Sequence, residues 1–343
     1  MKKFFALLLV LTMLLSFGAC GWNTPSAEST PVEGGSADRH YPLTVTDQAG
    51  RQVVIEKEPQ RLISSYYITT SLLMALDVDE QLVGVEDNAS LRPVYGLSNP
   101  KILELPSIGT AKTLDLEACA ALAPDLAILP MKVKDSVDDL EALGITVLLV
   151  NPESQELLIQ MIRLVATATH TEERAEALIG FIETQQTHLT QLLSGVTTPS
   201  VYLAGNSSFL TTAGNAMYQS DMIRLAGGQN VAGHIEDTYW AQIDYEQLLA
   251  WDPAYIILPS SAKYTVADVM ADPNLCGCQA IVKGQVYQVP GDAESWDSPV
   301  PGSILGALWL ANILHPDLMT DTDCADIMDA YYETFYYFTY SQK

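Results

Sequence analysis

Residues 114–130 read LDLEACAALAPDLAILP, and residues 243–259 read IDYEQLLAWDPAYIILP. One constant offset, 129 residues (244 less 115), superposes Asp115 on Asp244, Glu117 on Glu246, Ala121 on Ala250, Pro124 on Pro253, Ile128 on Ile257, Leu129 on Leu258 and Pro130 on Pro259. Each copy has the same plan: a capping aspartate, an acid in the first helical turn, a short helix, a proline, an apolar strand and a closing proline. Two copies of one helix–strand unit predict two similar α/β lobes. A ligand cleft is then expected between them, at the carboxyl ends of the strands.

The flanking sequence agrees with that plan. Residues 43–55 alternate around Gln48-Ala49-Gly50 and predict a hairpin. Strands are expected at 61–65, 82–85, 125–129 and 146–150, with helices at 69–76, 115–122 and 134–143 between them. Such alternation implies mainly parallel sheet. Residues 153–194 break the rhythm with helical periodicity, carried by Leu157, Leu158, Met161, Leu164 and Val165, then by Ala177, Leu178, Phe181 and Ile182. A polar turn at 169–173 interrupts the two stripes. This stretch predicts a rigid helical connector, after which the βα pattern resumes at Val201. Gly227-Gly228 reads as a helix C-cap with its turn, and Tyr331, Phe335 and Phe338 as the buried side of a terminal helix on the second lobe.

The first residues address the compartment. Lys2-Lys3 precede an apolar run of 14 residues, 4–17, too short for a bilayer span of about 20 residues but suited to a secretory signal. Gly18-Ala19-Cys20 follows and resembles a bacterial lipoprotein cleavage box, which predicts lipidation of Cys20. Residues 21–39 are rich in Gly, Ser, Pro and Thr and read as a flexible tether. The expected organisation is a signal peptide at 1–19, lipidated cysteine and tether at 20–39, an N-terminal lobe at 40–152, linker helices at 153–195 and a C-terminal lobe at 196–343. The product is therefore expected to be exported, anchored by lipid to the outer face of the cell membrane, and monomeric.

Composition narrows the function. The chain is 48% hydrophobic and 17% charged, which suits a sizeable core. Its formal charge of −25, from 17 basic and 42 acidic residues, disfavours binding to nucleic acid or to an anionic membrane by charge. Cys119, Cys276, Cys278 and Cys324 show no zinc-type spacing, and the five histidines are scattered. No Gly-x-Ser-x-Gly elbow and no phosphate loop occurs.

The chain resembles the substrate-binding proteins of ABC importers, in the helix-linked group that serves ferric siderophores, haem and cobalamin. The resemblance runs from about residue 41 to 320. It is carried by Asp47 to Arg51 with Val54, Pro59 to Ile63, Leu82 to Val85, Glu117 to Leu129, Leu140 to Val147, Leu225 to Val231, Glu246 to Leu258, Val286 to Pro290 and Leu308 to Pro316. The family often has Gly after the first helix, where this chain has Asp77. The resemblance implies a binding protein and not an enzyme, with no cofactor of its own. It would hand a metal chelate (iron siderophore, haem or cobalamin) to an ABC permease with its ATPase. In this family a glutamate on each lobe docks with permease arginines, and by position these are Glu117 and Glu246. An oxyanion such as molybdate, or an exported chelatase-like enzyme on the same two-lobe plan, are the alternatives.

Ligand residues are expected where strands meet loops: Tyr66, Tyr67, Lys132, Asn206, Tyr239, Trp240, Ser260 and Trp296. Tyr and Trp offer ring faces with a polar edge, and a phenolate of Tyr66 or Tyr67 could ligate a ferric centre. Lys132 could meet an anionic group. Arg92 and Glu86, in the loop after Val85, are weaker candidates.

Overall fold

The computed structural model describes residues 41–236 and 238–343. The expected signal, Cys20 and the tether lie outside the described residues. The body from Tyr41 to Lys343 opens with the hairpin of β1 (Leu43–Thr46) and β2 (Gln52–Ile55), antiparallel with Leu43 opposite Ile55. Its turn is held by Asp47, whose Oδ1 accepts the N–H groups of Ala49 (3.0 Å) and Arg51 (2.8 Å).

The N-terminal half then alternates: β3 (Leu62–Ser64), α1 (Tyr67–Ala75), β4 (Leu82–Gly84), α2 (Pro93–Ser98), α3 (Leu116–Ala121), β5 (Leu126–Pro130), α4 (Val137–Ala142) and β6 (Thr146–Val150). Its four strands are all parallel, in the order β4-β3-β5-β6. Helix α4 starts later than the expected residue 134, because residues 131–136 form a tighter turn that buries Val133.

Two antiparallel helices lead to the second half, α5 (Gln155–Thr169) and α6 (Glu172–Leu192). Ser154 caps α5, its hydroxyl accepting the N–H of Leu157. The helix ends at His170, whose φ is +62°. The buried stripe is Leu158, Met161, Ile162 and Val165, then Ala175, Leu178, Ile179 and Ile182. Ala177, expected on that stripe, is exposed. The helix face rotates towards Ala175 and Ile179 instead.

The C-terminal half contains β7 (Ser200–Leu203), β8 (Thr211–Ala213), α7 (Tyr218–Leu225), β9 (Gln229–Asn230), β10 (Trp240–Gln242), α8 (Tyr245–Trp251), β11 (Tyr255–Leu258), α9 (Val266–Met270), α10 (Gln279–Val282), β12 (Val286–Gln288), α11 (Ile304–Leu314) and α12 (Asp321–Tyr336). The sheet is parallel in the order β12-β11-β7-β9. Numbered within its own half, each sheet has the strand order 2-1-3-4. The duplicated segments therefore occupy the same place in both, as the third strand and the helix before it.

The correspondence extends to detail. Asp115 accepts from the N–H of Ala118 at 2.9 Å and Asp244 from that of Gln247 at 2.8 Å. Cys119 and Leu248, 129 residues apart, are the buried residues of α3 and α8. Ala123 and Asp252, again 129 apart, leave those helices with φ of +43° and +41°. Asp77 takes φ of +63° after α1. A glycine enters that left-handed region without a Cβ penalty, and Asp is among the residues that tolerate it.

Helix α12 is capped by a reciprocal Thr320–Asp323 box. Tyr331 and Phe335 pack on Phe181 of α6. Phe338 lies beyond the helix end and stacks on Tyr332 instead. Gly227 closes α7 with φ of +73°, and the N–H of Gly228 reaches the carbonyl of Ile223 at 2.9 Å. Among the described residues, Cys119, Cys276, Cys278 and Cys324 are free.

Candidate ligand cleft and docking positions

Strand β3 is the point where the N-terminal sheet reverses its winding, with β4 on one side and β5 on the other, so its carboxyl end is the expected ligand position. There the chain runs through Ser65 and Tyr66 into α1. The hydroxyl of Ser64 ties this turn, lying 2.7 Å from Thr69 Oγ1 and accepting the N–H of Tyr66. Helix α1 begins with no side chain capping it, so its positive end faces the cleft uncompensated.

Tyr66 and Tyr67 are half-buried, with rings edge-on at 5.5 Å. The guanidinium of Arg92 lies 3.9 Å above the centre of the Tyr67 ring. Glu86 would be its natural partner, but that carboxylate is taken. Thr70 Oγ1 donates to it at 2.8 Å and the Tyr95 hydroxyl at 2.6 Å. Arg92 has no ion pair among the described residues, and its Nε is buried without a hydrogen-bond partner. The hydroxyl of Ser65, which precedes Tyr66 in the turn after β3, is likewise buried and unpartnered. A guanidinium and a hydroxyl left in this state are costly unless water or a ligand meets them.

The facing wall comes from the C-terminal half. Asp297 is buried, and its Oδ1 accepts from the Ser260 hydroxyl at 2.6 Å. Gln219 donates to the carbonyl of Asp297 at 2.7 Å. The halves touch directly, since the N–H of Val94 donates to the carbonyl of Ala293 at 3.2 Å. More orphaned polar atoms lie where the elements converge: both amide atoms of Gln155 at the start of α5, and Oε1 of Gln219 on α7.

Burial pushes the Tyr67 phenol up, against the opposing pull of the Ser298 hydroxyl and Arg92. Burial also raises Tyr66 well above the usual phenol range, helped by Tyr67 and Glu153. Both phenols are therefore neutral O–H donors near neutral pH. Phenolate ligation of a ferric ion at either would first require loss of a proton that the site holds.

Of the sequence-predicted residues, Tyr67 meets Arg92 directly and Tyr66 joins it through the Tyr67 ring, and Ser260 stands on the opposite wall through Asp297. Lys132 is exposed just after β5, at the carboxyl edge of the sheet. Asn206 is exposed after β7, its carbonyl accepting the N–H of Lys263 at 2.9 Å. Tyr239 and Trp240 are exposed at the ribbon of β8 and β10, with Trp240 opposite Ala213. They make no hydrogen bond or ring contact with the Tyr66–Arg92 group.

Trp296 is a correction. It is 1% exposed, its indole N–H donates to the Tyr332 hydroxyl at 2.9 Å, and its ring packs on Tyr340, so it belongs to the core and not to an open cleft. The residues that sequence reasoning undervalued or missed are Arg92, Ser65, Asp297, Ser298, Gln155 and Gln219. One signal pointed to the first: Arg92 is the single arginine between Arg61 and Arg163.

Glu117 and Glu246 are exposed in the first turns of α3 and α8. The N–H of Asp115 reaches the carbonyl of Ile108, whose own N–H binds Val85 just past β4. The N–H of Ile243 reaches Leu210, in the loop after β7. Both glutamates thus lie at the carboxyl side of their sheets, the side on which the cleft opens. Neither has a hydrogen bond or ion pair among the described residues.

Comparison with known proteins places these features in context. The family described as periplasmic binding protein matches residues 62–293. The molybdate-binding protein MolA of Haemophilus influenzae is 25% identical over 323 residues, spanning 86% of this chain and 91% of its own. Its molybdate-bound structure superposes with a TM-score of 0.78 at 24% identity, covering 87% of this chain and 99% of the other. YvrC of Bacillus subtilis, an uncharacterised ABC transporter substrate-binding lipoprotein, is 23% identical over 81% of this chain and 87% of its own. A vitamin B12-binding protein of Salmonella choleraesuis is 25% identical over 66% of this chain and 84% of its own.

Proposed function

The chain belongs to the periplasmic binding protein family, and from that premise we propose that it is the substrate-binding component of an ABC importer whose cleft captures a compact oxyanion of the molybdate kind. The observation that carries this reading is the unpaired Arg92 guanidinium on the ring of Tyr67, with the neutral phenol of Tyr66 against that ring and the orphaned Ser65 hydroxyl just before it in the chain. All four groups donate hydrogen bonds. A tetrahedral oxyanion presents only acceptor oxygens, so it matches this set, and a guanidinium binds such oxygens in its planar fork. The uncapped start of α1 adds N–H groups and a positive dipole end. The molybdate-binding relative from Haemophilus influenzae supports the same ligand class.

The second reading is an iron chelate (siderophore or haem) or cobalamin. It is favoured by the half-buried ring faces of Tyr66 and Tyr67 and by the vitamin B12-binding relative. The direct contact of Val94 with Ala293 makes the oxyanion the better fit, because a tetrapyrrole between the walls would have to part them. The exported chelatase alternative has no observation in its favour.

Three further elements complete the reading. Each sheet sits in its own lobe, 40–152 and 196–343, with 153–195 as connector. Cys20 carries the lipid that holds an exported monomer at the outer face of the membrane, in keeping with the lipoprotein name of YvrC. Glu117 and Glu246 meet basic residues of the permease. Calorimetric titration with molybdate, sulfate, a ferric siderophore, haem and cobalamin at one ionic strength tests the ligand class. Saturable heat from molybdate, with none from cobalamin, is expected. Binding of a corrinoid with no response to any oxyanion would reject the proposal.

A further inference from the structure

One buried carboxyl plays no part in the cleft. Glu294, between β12 and α11, is 3% exposed, and no Lys, Arg or His is bonded to it among the described residues. Its Oε1 lies 3.0 Å from the Tyr336 hydroxyl and its Oε2 3.3 Å from the Tyr332 hydroxyl. The Tyr336 hydroxyl is also 3.1 Å from the backbone carbonyl of Ser71, in the middle of α1. Tyr336 thereby reaches from the C-terminal helix to the helix that begins at Tyr67, just after Tyr66.

A phenol has one proton to donate, and a backbone carbonyl can only accept. If Glu294 were ionised, its Oε1 would also only accept. Tyr336 would then hold one proton between two acceptors, and one of the two contacts would become oxygen against oxygen. A proton on Glu294 Oε1 satisfies both. The carboxyl donates to the Tyr336 oxygen, and Tyr336 donates to the carbonyl of Ser71.

We propose that Glu294 is carried as the neutral acid and that its proton positions α1, by completing the bond from Tyr336 to Ser71. Glu294 is a positioning residue on this account, acting through Tyr336 on the helix below the ligand turn. Its surroundings agree. Burial pushes the carboxyl up to about 7, against the opposing pull of Tyr336, Tyr332, the Gly302 N–H and Tyr331. The titratable groups facing it are Tyr331, Tyr332 and Tyr336 of α12, all held protonated by burial. Its own segment offers Gly302 and, through Tyr332, Trp296, while α1 offers only the Ser71 carbonyl. From α6, Arg174 spends its charge on backbone carbonyls, donating to Ala75 at 2.9 Å and Thr334 at 2.8 Å. The last turn of α1 is thus tied by Arg174 in either state, whereas the bond from Tyr336 to its middle is made only while Glu294 keeps its proton.

The test is amide hydrogen exchange, read by mass spectrometry on the peptide covering α1 and corrected for the intrinsic pH dependence, between about pH 5.5 and 8.5. Losing one net hydrogen bond is expected to speed opening of α1 about fivefold across the titration. Glu294→Gln retains a permanent N–H donor to Tyr336, so its protection should not change with pH. Tyr336→Phe should exchange fast at both ends. An infrared carbonyl band of a neutral acid near pH 6, absent from Glu294→Gln, reports the proton directly. Flat protection in the wild type, an equal pH-dependent loss in Glu294→Gln, or no neutral-acid band would each overturn the proposal. None of these readouts needs a ligand. The expected fall of ligand affinity with rising pH rests on the cleft reading above, and a molybdate titration that fails at every pH would sink that reading while leaving the exchange result standing.

Discussion

Replacing Arg92 by Met removes the guanidinium and keeps an unbranched apolar side chain of similar reach. In the free protein Arg92 makes no ion pair, and its Nε is buried unpartnered. The fold therefore loses the contact with the Tyr67 ring, worth about 0.5–1 kcal/mol at a partly exposed site, and the attraction of the guanidinium for the nearby Glu86 carboxyl, and sheds an unsatisfied donor in return. The melting temperature should stay within about 2 °C of the wild type, given roughly 2–4 °C per kcal/mol for a chain of this size. The liganded protein loses far more. A charge-assisted hydrogen bond to an oxyanion contributes about 1.5–3 kcal/mol, which is about a ten- to 150-fold weaker Kd. Arg92→Lys should fall between the two, because it restores charge without the planar fork. Calorimetry with molybdate, run beside thermal unfolding of the same samples, reads both quantities. Unaltered affinity in Arg92→Met, or affinity lost only in step with a large drop in melting temperature, would refute the reasoning that Arg92 is held ready for an anion.

Glu117→Gln combined with Glu246→Gln should leave ligand affinity unchanged and cut uptake in cells or vesicles carrying the permease, since exposed charges of this kind set orientation and encounter rate. Each change also removes a favourable dipole contact of about 0.3–1 kcal/mol, visible as a small loss in urea unfolding. Gly302→Ala should destabilise by about 1–3 kcal/mol, measured by urea, because its Cβ would run into Glu294 Oε2 and lie 3.0 Å from Tyr331 Cε1. Stability should also depend on pH through Glu294. A carboxyl whose folded value is raised from 4.5 to about 7 binds its proton more tightly in the native state. Its contribution is thus fully present below about 4.5, declines as pH rises through that interval, and is lost above about 7, a change on the order of 3 kcal/mol. Unfolding free energies of Glu294→Gln measured against wild type across the interval should lack that component.

What the sequence displayed and what it hid divide along a physical line. The caps at Asp115, Asp244, Ser154 and Thr320 act within three residues, and the hairpin turn at Gly50 within four, so local spacing was enough to read the elements they bound. Whether a charge or a ring is free depends on residues far along the chain. Arg92 stood out little beside Glu86 until the structure showed that carboxylate occupied by Tyr95 and Thr70, 9 and 16 residues away. Trp296 read as a cleft residue because it follows a strand. It is buried by Tyr332, 36 residues later, on a helix whose packing position no local pattern states.

The repeat itself explains which half of the function was legible. It covers what both lobes need alike, namely a capped helix with an exposed acid and the third strand behind it, down to the same left-handed φ at Ala123 and Asp252. The proposed two-sided dock needs such a pair, and the duplication supplies it in Glu117 and Glu246. The set of free hydrogen-bond donors is one-sided. Strand β3 leads into Ser65-Tyr66-Tyr67, whereas the corresponding first strand of the second sheet, β7, leads into Ala204-Gly205-Asn206. The second lobe answers with a carboxylate, Asp297, already bonded to Ser260. With donors concentrated on one wall and an acid on the other, the ligand's charge should be held chiefly by the N-terminal lobe. On the proposed oxyanion reading, the facing wall of the second lobe would exclude water from Arg92 and the two phenols and so strengthen each of their bonds to the anion.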